Sequence, residues 1–240
     1  STDPTVRDFL EQFATRHAQD PRIVVIDGPN SGIAAACNRG LEQVSTEWFG
    51  WLDHDDVLNP RAFELFSQEF SEKPNTLVIY SDEDKIDGSD RHFELYCKPD
   101  YSPELLLTQM YLCHFTCFRT REVRAVGGFR SQFDGAQDFD LALRLLPQLS
   151  ADNVHHVPRP LYHWRAWALS TALTIEAKPW AQEASARAQQ DHLDRAAGGT
   201  VVASSVPGLN EVHPAVPSPP LVSVIIPSAG ATNDQGRLVD

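Results

Sequence analysis

Apolar positions along the first half of the chain fall into two rhythms, a helical one and short runs of unbroken hydrophobicity. Residues 6–17 repeat apolar side chains three and four apart, with Asp3 placed to cap and Pro4 at the first helical position, which predicts an amphipathic helix. Arg22-Ile-Val-Val-Ile26 follows as a short apolar strand, Asp27-Gly-Pro-Asn-Ser-Gly32 as a loop, and residues 33–44 as an alanine-rich helix. The run Glu47-Trp-Phe-Gly-Trp-Leu-Asp-His-Asp-Asp56 reads as a buried strand that ends in three aspartates. Asn59-Pro60 opens a helix to about residue 70, and Thr76-Leu-Val-Ile-Tyr80 is another apolar strand. The Asp-Glu-Asp-Lys segment after it is expected as a solvated turn. Strands alternating with helices predict an α/β fold, a doubly wound and mostly parallel sheet with helices on both faces.

The second half is less regular. Lys98-Pro-Asp-Tyr-Ser-Pro103 predicts a turn into a helix over 104–109, with a strand over 112–119 and a short helix over 121–126 stopped by Gly127-Gly128. Phe133-Asp-Gly-Ala-Gln-Asp-Phe-Asp-Leu141 opens a helix through residue 146, and strands are expected over 154–158 and from Leu161. A C-terminal helix is expected within 177–200. Residues 201–219 read as a proline-rich linker.

Composition narrows the function classes. A net charge of −13 over 240 residues argues against nucleic acid or an anionic membrane surface as partner. No apolar run approaches the roughly 20 residues that span a bilayer. The four cysteines lack a zinc-type CxxC pair, and Cys113 and Cys117, in an apolar, aromatic stretch, read as buried, reduced thiols, so a cytoplasmic setting is expected. Lys98 is expected at the surface and His114 as a core histidine.

The candidate chemistry lies at Asp53, Asp55 and Asp56. A strand delivering acids to its C-terminal tip concentrates negative charge where open α/β sheets bind ligands. Like charges that close repel unless a proton or a cation joins them. Mg²⁺ or Mn²⁺ held by one or two carboxylates together with substrate phosphates resolves the conflict.

The ordered set Gly32-Ile-Ala-Ala-Ala-Cys-Asn38, Leu52-Asp-His-Asp-Asp56, Tyr80-Ser-Asp-Glu-Asp84, Gly127-Gly-Phe129, Gln137-Asp-Phe-Asp-Leu141 and Tyr162-His-Trp-Arg165 resembles family 2 glycosyltransferases of the GT-A fold, in particular bacterial enzymes of polysaccharide or O-antigen assembly. The resemblance covers residues 1–176. Ser1-Thr-Asp-Pro4 aligns with the segment after the family's second strand, so the first two strands are expected to be missing. Leu221-Val-Ser-Val-Ile-Ile-Pro227 resembles the opening strand of such a domain, so residues 220–240 are expected to begin a second, tandem module. A further expectation is that residues 221–226 fill the vacant slot in the first sheet.

The resemblance implies inverting transfer of a sugar from a nucleotide-diphosphate sugar to a hydroxyl of a saccharide or lipid-linked saccharide, at the inner face of the cell membrane in the latter case. It implies Mn²⁺ or Mg²⁺ on Asp53, Asp55 and Asp56 with His163 as an additional ligand or a phosphate contact, and Arg165 on phosphate, with a strand edge carrying an ordinary surface ion pair as the rival reading of this His-Trp-Arg run. Asp138 takes the family's position for the base that accepts the hydroxyl proton, with a helix-capping role as its rival. Asn30, Gly32 and Asn38 sit where the family contacts the nucleotide, and Asp82 and Asp84 could line the sugar pocket. Asn30 reads equally as a turn residue, and Asn38 as a hydrogen-bonding residue within its helix. The competing readings are a sugar-nucleotide nucleotidyltransferase and an inactive nucleotide-binding fragment.

Overall fold

The structure is a computed structural model that describes residues 3–166, 179–196, 198–206, 208–225, 227 and 234–235. The chain opens with α1 (Pro4–Arg16), whose first turn is closed by the Asp3 carboxylate accepting from the Thr5 amide at 2.8 Å. Then come α2 (Ile33–Gln43), β1 (Trp48–Gly50), β2 (Val57–Leu58), α3 (Ala62–Glu72), β3 (Val78–Ile86) and β4 (His92–Tyr96). The second half supplies α4 (Pro103–Thr108), β5 (Thr116–Arg119), α5 (Thr120–Ala125), α6 (Gln137–Leu145), β6 (Val154–Arg165) and α7 (Pro179–Arg195). A separate antiparallel hairpin, β7 (Gly199–Ala203) and β8 (Asn210–Pro214), follows.

The main sheet runs β1-β5-β3-β6-β2, with β4 paired to the far half of β3. The sheet is mixed rather than mostly parallel: β3 and β6 run parallel, and the other four pairings are antiparallel. Strand–helix alternation does not reveal that β5 returns antiparallel between β1 and β3, nor that β4 folds back on β3 as a hairpin. β3 is buried along nearly its whole length, and its apolar half shows the alternation that a two-faced sheet requires. Val78 and Tyr80 face a cluster with Leu106, Phe118, Phe129, Leu141 and Leu143, while Ile79 faces Phe66, Phe115, Leu161 and Tyr162.

Several expectations change. Residues 22–26 form no strand, and Val24, Val25 and Ile26 are exposed. A strand exists through the hydrogen bonds of its neighbours, and no strand lies beside this segment among the described residues. Residues 221–225 are likewise outside any strand, with Leu221 and Ile225 almost wholly exposed, so they do not fill a slot in the sheet. Residue 226 lies outside the described residues, as do residues 167–176 at the end of the expected first domain. The expected linker 201–219 holds most of the β7–β8 hairpin.

The largest departure concerns the acids after Tyr80. β3 runs straight through them, so Ser81, Asp82, Glu83 and Asp84 are buried strand residues and not a solvated turn. Partners distant in sequence make that burial tolerable.

Candidate active site

The aspartate turn leaves β1 at Trp51, whose ring stacks on Phe118 at 5.4 Å and meets the edge of Phe129. The Asp56 amide donates to the Asp53 carbonyl at 3.2 Å and closes the turn. β6 then clamps it. The Tyr162 hydroxyl donates to one Asp56 oxygen, and the Arg165 amide donates to the other at 2.8 Å. The same hydroxyl accepts from the Asp53 amide at 3.4 Å, and Arg165 Nε donates to the Asp55 carbonyl at 2.9 Å. Burial pushes the Asp56 carboxyl above the ordinary range; its two hydrogen bonds oppose this, and the Asp53 and Asp55 charges add to it. Asp56 is therefore the anchor of the turn. Asp53 is exposed and Asp55 partly so, and the sole ion pair at either is His54 Nδ1, 3.7 Å from Asp55, among the described residues.

Asp138 is the second residue of α6. Its Oδ1 accepts from the adjacent Phe139 amide at 2.8 Å. Burial raises its carboxyl, nearby His114 lowers it, and the Asp53 charge raises it again. Asp53, His114 and Asp138 thus share one electrostatic neighbourhood although they come from three distant segments. His114 stacks on the Tyr162 ring at 4.7 Å and meets Trp164 edge-on at 6.1 Å. Its Nδ1 is buried without a hydrogen-bond partner. An orphaned buried nitrogen beside a carboxylate is a group waiting for a ligand or water.

His114 is held from behind. Its amide donates to Glu83 Oε2 at 3.0 Å, and its carbonyl accepts from Lys98 Nζ at 2.5 Å. Lys98 has no exposed side-chain surface and also binds Glu83 Oε2 at 2.9 Å and the Leu112 carbonyl at 2.7 Å. The expected surface lysine is a buried strut, because a carboxylate and two carbonyls replace its water.

The other anticipated residues divide. Asn30 lies exposed on the loop before α2. Gly32 has φ +93°, and a Cβ there would sit 1.9 Å from Asp134 Oδ2. Asp134 Oδ1 accepts from the Ala34 amide at 2.8 Å and caps α2 from across the fold. Asn38 bonds the Phe129 backbone in both directions, donating to its carbonyl at 2.7 Å and accepting from its amide at 2.8 Å, so it ties α2 to the Gly127-Gly128 turn. Asp82 accepts from the Lys98 amide at 2.9 Å and contacts His156 Nε2 at 2.8 Å. Arg165 is committed to the Asp55 carbonyl and to Asp90 at 2.7 Å, which leaves the expected phosphate contact without a free guanidinium.

His163 does not join the aspartate turn. Successive strand residues face opposite ways, and Tyr162 is the one turned to Asp56. His163 Nδ1 instead meets Asp84 Oδ1 at 2.6 Å, and Asp84 Oδ2 meets His92 Nδ1 at 2.9 Å. Sequence reasoning missed Tyr162 and Glu83. The signals were present, a tyrosine directly before His163 and an acid between two others, but their roles depend on long-range register.

An exposed acidic turn and a partly enclosed carboxylate thus lie together in an α/β sheet protein. The Glycosyl transferase family 2 sequence profile matches residues 1–124, and the chain belongs to that family. It is 38% identical to an uncharacterized protein of Sinorhizobium fredii over 236 residues, 97% of this chain and 26% of that one. It is 34% identical to the O-antigen biosynthesis protein RfbC of Myxococcus xanthus, over 100% of this chain and 18% of the relative. The chain thus spans about a quarter or less of these relatives. The structure of S. aureus TarS 1-349 in complex with UDP-GlcNAc superposes with a TM-score of 0.54 at 13% identity, over 81% of this chain and 60% of that one. The fold is of the GT-A type. No helix among the described residues is long and apolar enough to cross a membrane.

Proposed function

We propose that this domain transfers a sugar from a nucleotide-diphosphate donor to an acceptor hydroxyl with inversion, in the assembly of a cell-surface polysaccharide. The observation that carries the reading is the shared field of Asp53 and Asp138, one on an exposed acidic turn and the other partly enclosed, at the same end of the sheet.

The donor set fits a hard divalent cation. Asp53 and Asp55 present two carboxylates on a turn that Tyr162 and Arg165 hold by its backbone, and the chain sets no lysine or arginine ion pair against them among the described residues. When bound there, Mg²⁺ or Mn²⁺ would offset the charge that grows on the departing diphosphate. Asp138 accepts the acceptor hydroxyl proton as the oxygen attacks the anomeric carbon, and its raised carboxyl brings its basicity nearer to neutral pH. His114 faces the same space with its free Nδ1 and positions the acceptor or a bridging water. RfbC and the Pasteurella multocida chondroitin synthase, 33% identical over 147 residues, support a saccharide as acceptor. With a lipid-linked acceptor the domain would work at the inner face of the cell membrane. The TarS complex supports UDP as the first nucleotide to test.

The test is calorimetric titration of UDP with Mn²⁺ or with EDTA, on the native chain and on Asp55→Ala. Binding that needs metal and disappears in the variant is expected. UDP binding unaffected by either change would place the nucleotide elsewhere and overturn the assignment.

A further inference from the structure

A second cluster of metal-binding chemistry lies away from the aspartate turn. Asp84 of β3 stands opposite His163 of β6 in the parallel register, and His92 reaches it from β4. The carboxylate oxygens lie 2.6 Å from His163 Nδ1 and 2.9 Å from His92 Nδ1. One donor atom from each of the three residues falls within 4.8 Å of the others, and the two imidazoles stand perpendicular with centroids 4.6 Å apart. Asp84 and His163 are 7% and 8% exposed, while His92 is exposed and leaves one side open to water.

The surroundings give Asp84 no other cation. Lys85 pairs with Glu94, Arg165 pairs with Asp90, and only the two histidines lie within ion-pair distance of Asp84 among the described residues. Two imidazoles and one carboxylate with a side open to water are the donors of a borderline divalent ion such as Zn²⁺, not of Mg²⁺. A tetrahedral ion with bonds of about 2.0–2.1 Å needs donors roughly 3.3 Å apart, against 2.9 Å at His92 and 2.6 Å at His163 here. His92 on its edge strand can supply its share of that opening, and the rest needs a side-chain rotation of Asp84 or His163.

We propose that Asp84, His92 and His163 form a zinc-class metal site, separate from the nucleotide site, that pins the β3–β4 hairpin to β6. It is independent of the transfer reading, because Tyr162 and not its neighbour His163 is the β6 side chain facing the aspartate turn.

The untagged chain is titrated with Zn²⁺ against a chromophoric chelator and with Co²⁺ in the visible range. His92→Ala, His163→Gln and the double variant Asp53→Ala/Asp55→Ala are run beside it. The expected result is one equivalent of tight Zn²⁺ in the native chain and the aspartate double variant. Both histidine variants should bind about tenfold or more weakly. Zn²⁺ should raise the melting temperature of the native chain and not of His92→Ala, whose exposed position leaves the apo fold intact. No uptake would mean that the imidazoles merely hydrogen-bond to Asp84. Uptake that survives in His92→Ala would mean adventitious surface histidines. Either result overturns the proposal.

Discussion

Replacing Lys98 with methionine tests whether the buried strut behind the site behaves as its geometry requires. The ammonium has no exposed surface and donates to three oxygens, Glu83 Oε2 and the carbonyls of Leu112 and His114. Methionine keeps the apolar stem and removes all three bonds. The Leu112 carbonyl retains the Thr116 hydroxyl at 3.1 Å, and Glu83 retains the His114 amide, but its charge stays buried without a counter-ion. Breaking a buried pair from one side costs about 3–5 kcal/mol, much of it from the charge left behind. Urea unfolding of the native chain and Lys98→Met at neutral pH should show a loss of that size with an unchanged denaturant slope.

The double variant Lys98→Met/Glu83→Gln separates charge from packing. Glutamine can still accept the His114 amide and carries no charge to strand. Recovery of about 2–3 kcal/mol relative to Lys98→Met alone is expected from the coupling of the pair. Additive losses would refute the reasoning, as would a Lys98→Met cost below about 1 kcal/mol, the scale of an exposed ion pair. Because the strut holds the His114 backbone, the double variant should recover stability more fully than it recovers turnover.

Two further perturbations bear on the site itself. Asp138→Asn should abolish turnover while preserving metal-dependent UDP binding. The folded carboxyl holds its proton more tightly than the unfolded one, so native stability falls as pH rises from the unfolded pKa through the raised folded value. An asparagine side chain carries no such penalty, so the variant should melt at or above the native temperature at pH 7, with the advantage shrinking toward pH 3. A lower melting temperature at pH 7 would favour a structural role for the carboxylate. Tyr162→Phe removes the hydroxyl that joins Asp56 to the Asp53 amide, and burial keeps that hydroxyl protonated as a donor. It should cost about 1.5–3 kcal/mol in thermal or urea unfolding and weaken UDP–Mn²⁺ binding, whereas unchanged binding would show that the turn needs no clamp.

The sequence marks the helices well because their signals are local: Asp3 caps α1 as its position predicts, and Gly127-Gly128 ends the turn after α5. The failures share a cause, in that each depends on a partner far along the chain. Residues 22–26 carry a strand's pattern but have no neighbour to pair with among the described residues. The acids of β3 look like a turn because their partners Lys98, His156, His163 and His92 lie 8 to 79 positions away.

The same dependence sorts the acids by role. Asp56, Asp82, Asp84 and Asp140 are alike in composition to Asp53, Asp55 and Asp138. Asp56 is filled by Tyr162 and Arg165, Asp82 by Lys98 and His156, and Asp140 by Arg130 and Arg144. Asp84 is filled by two imidazoles, and alone of these four it has only partners that can themselves bind a metal. Asp53 and Asp55 accept no hydrogen bond through their carboxylates among the described residues, and Asp138 accepts one from its neighbour's amide. Carboxylates whose oxygens are taken hold the fold, and those left free at the end of the sheet have capacity for a cation, a phosphate or a proton. Asp53 and Asp138 in each other's field, with the orphaned His114 nitrogen beside them, are the place where that capacity gathers.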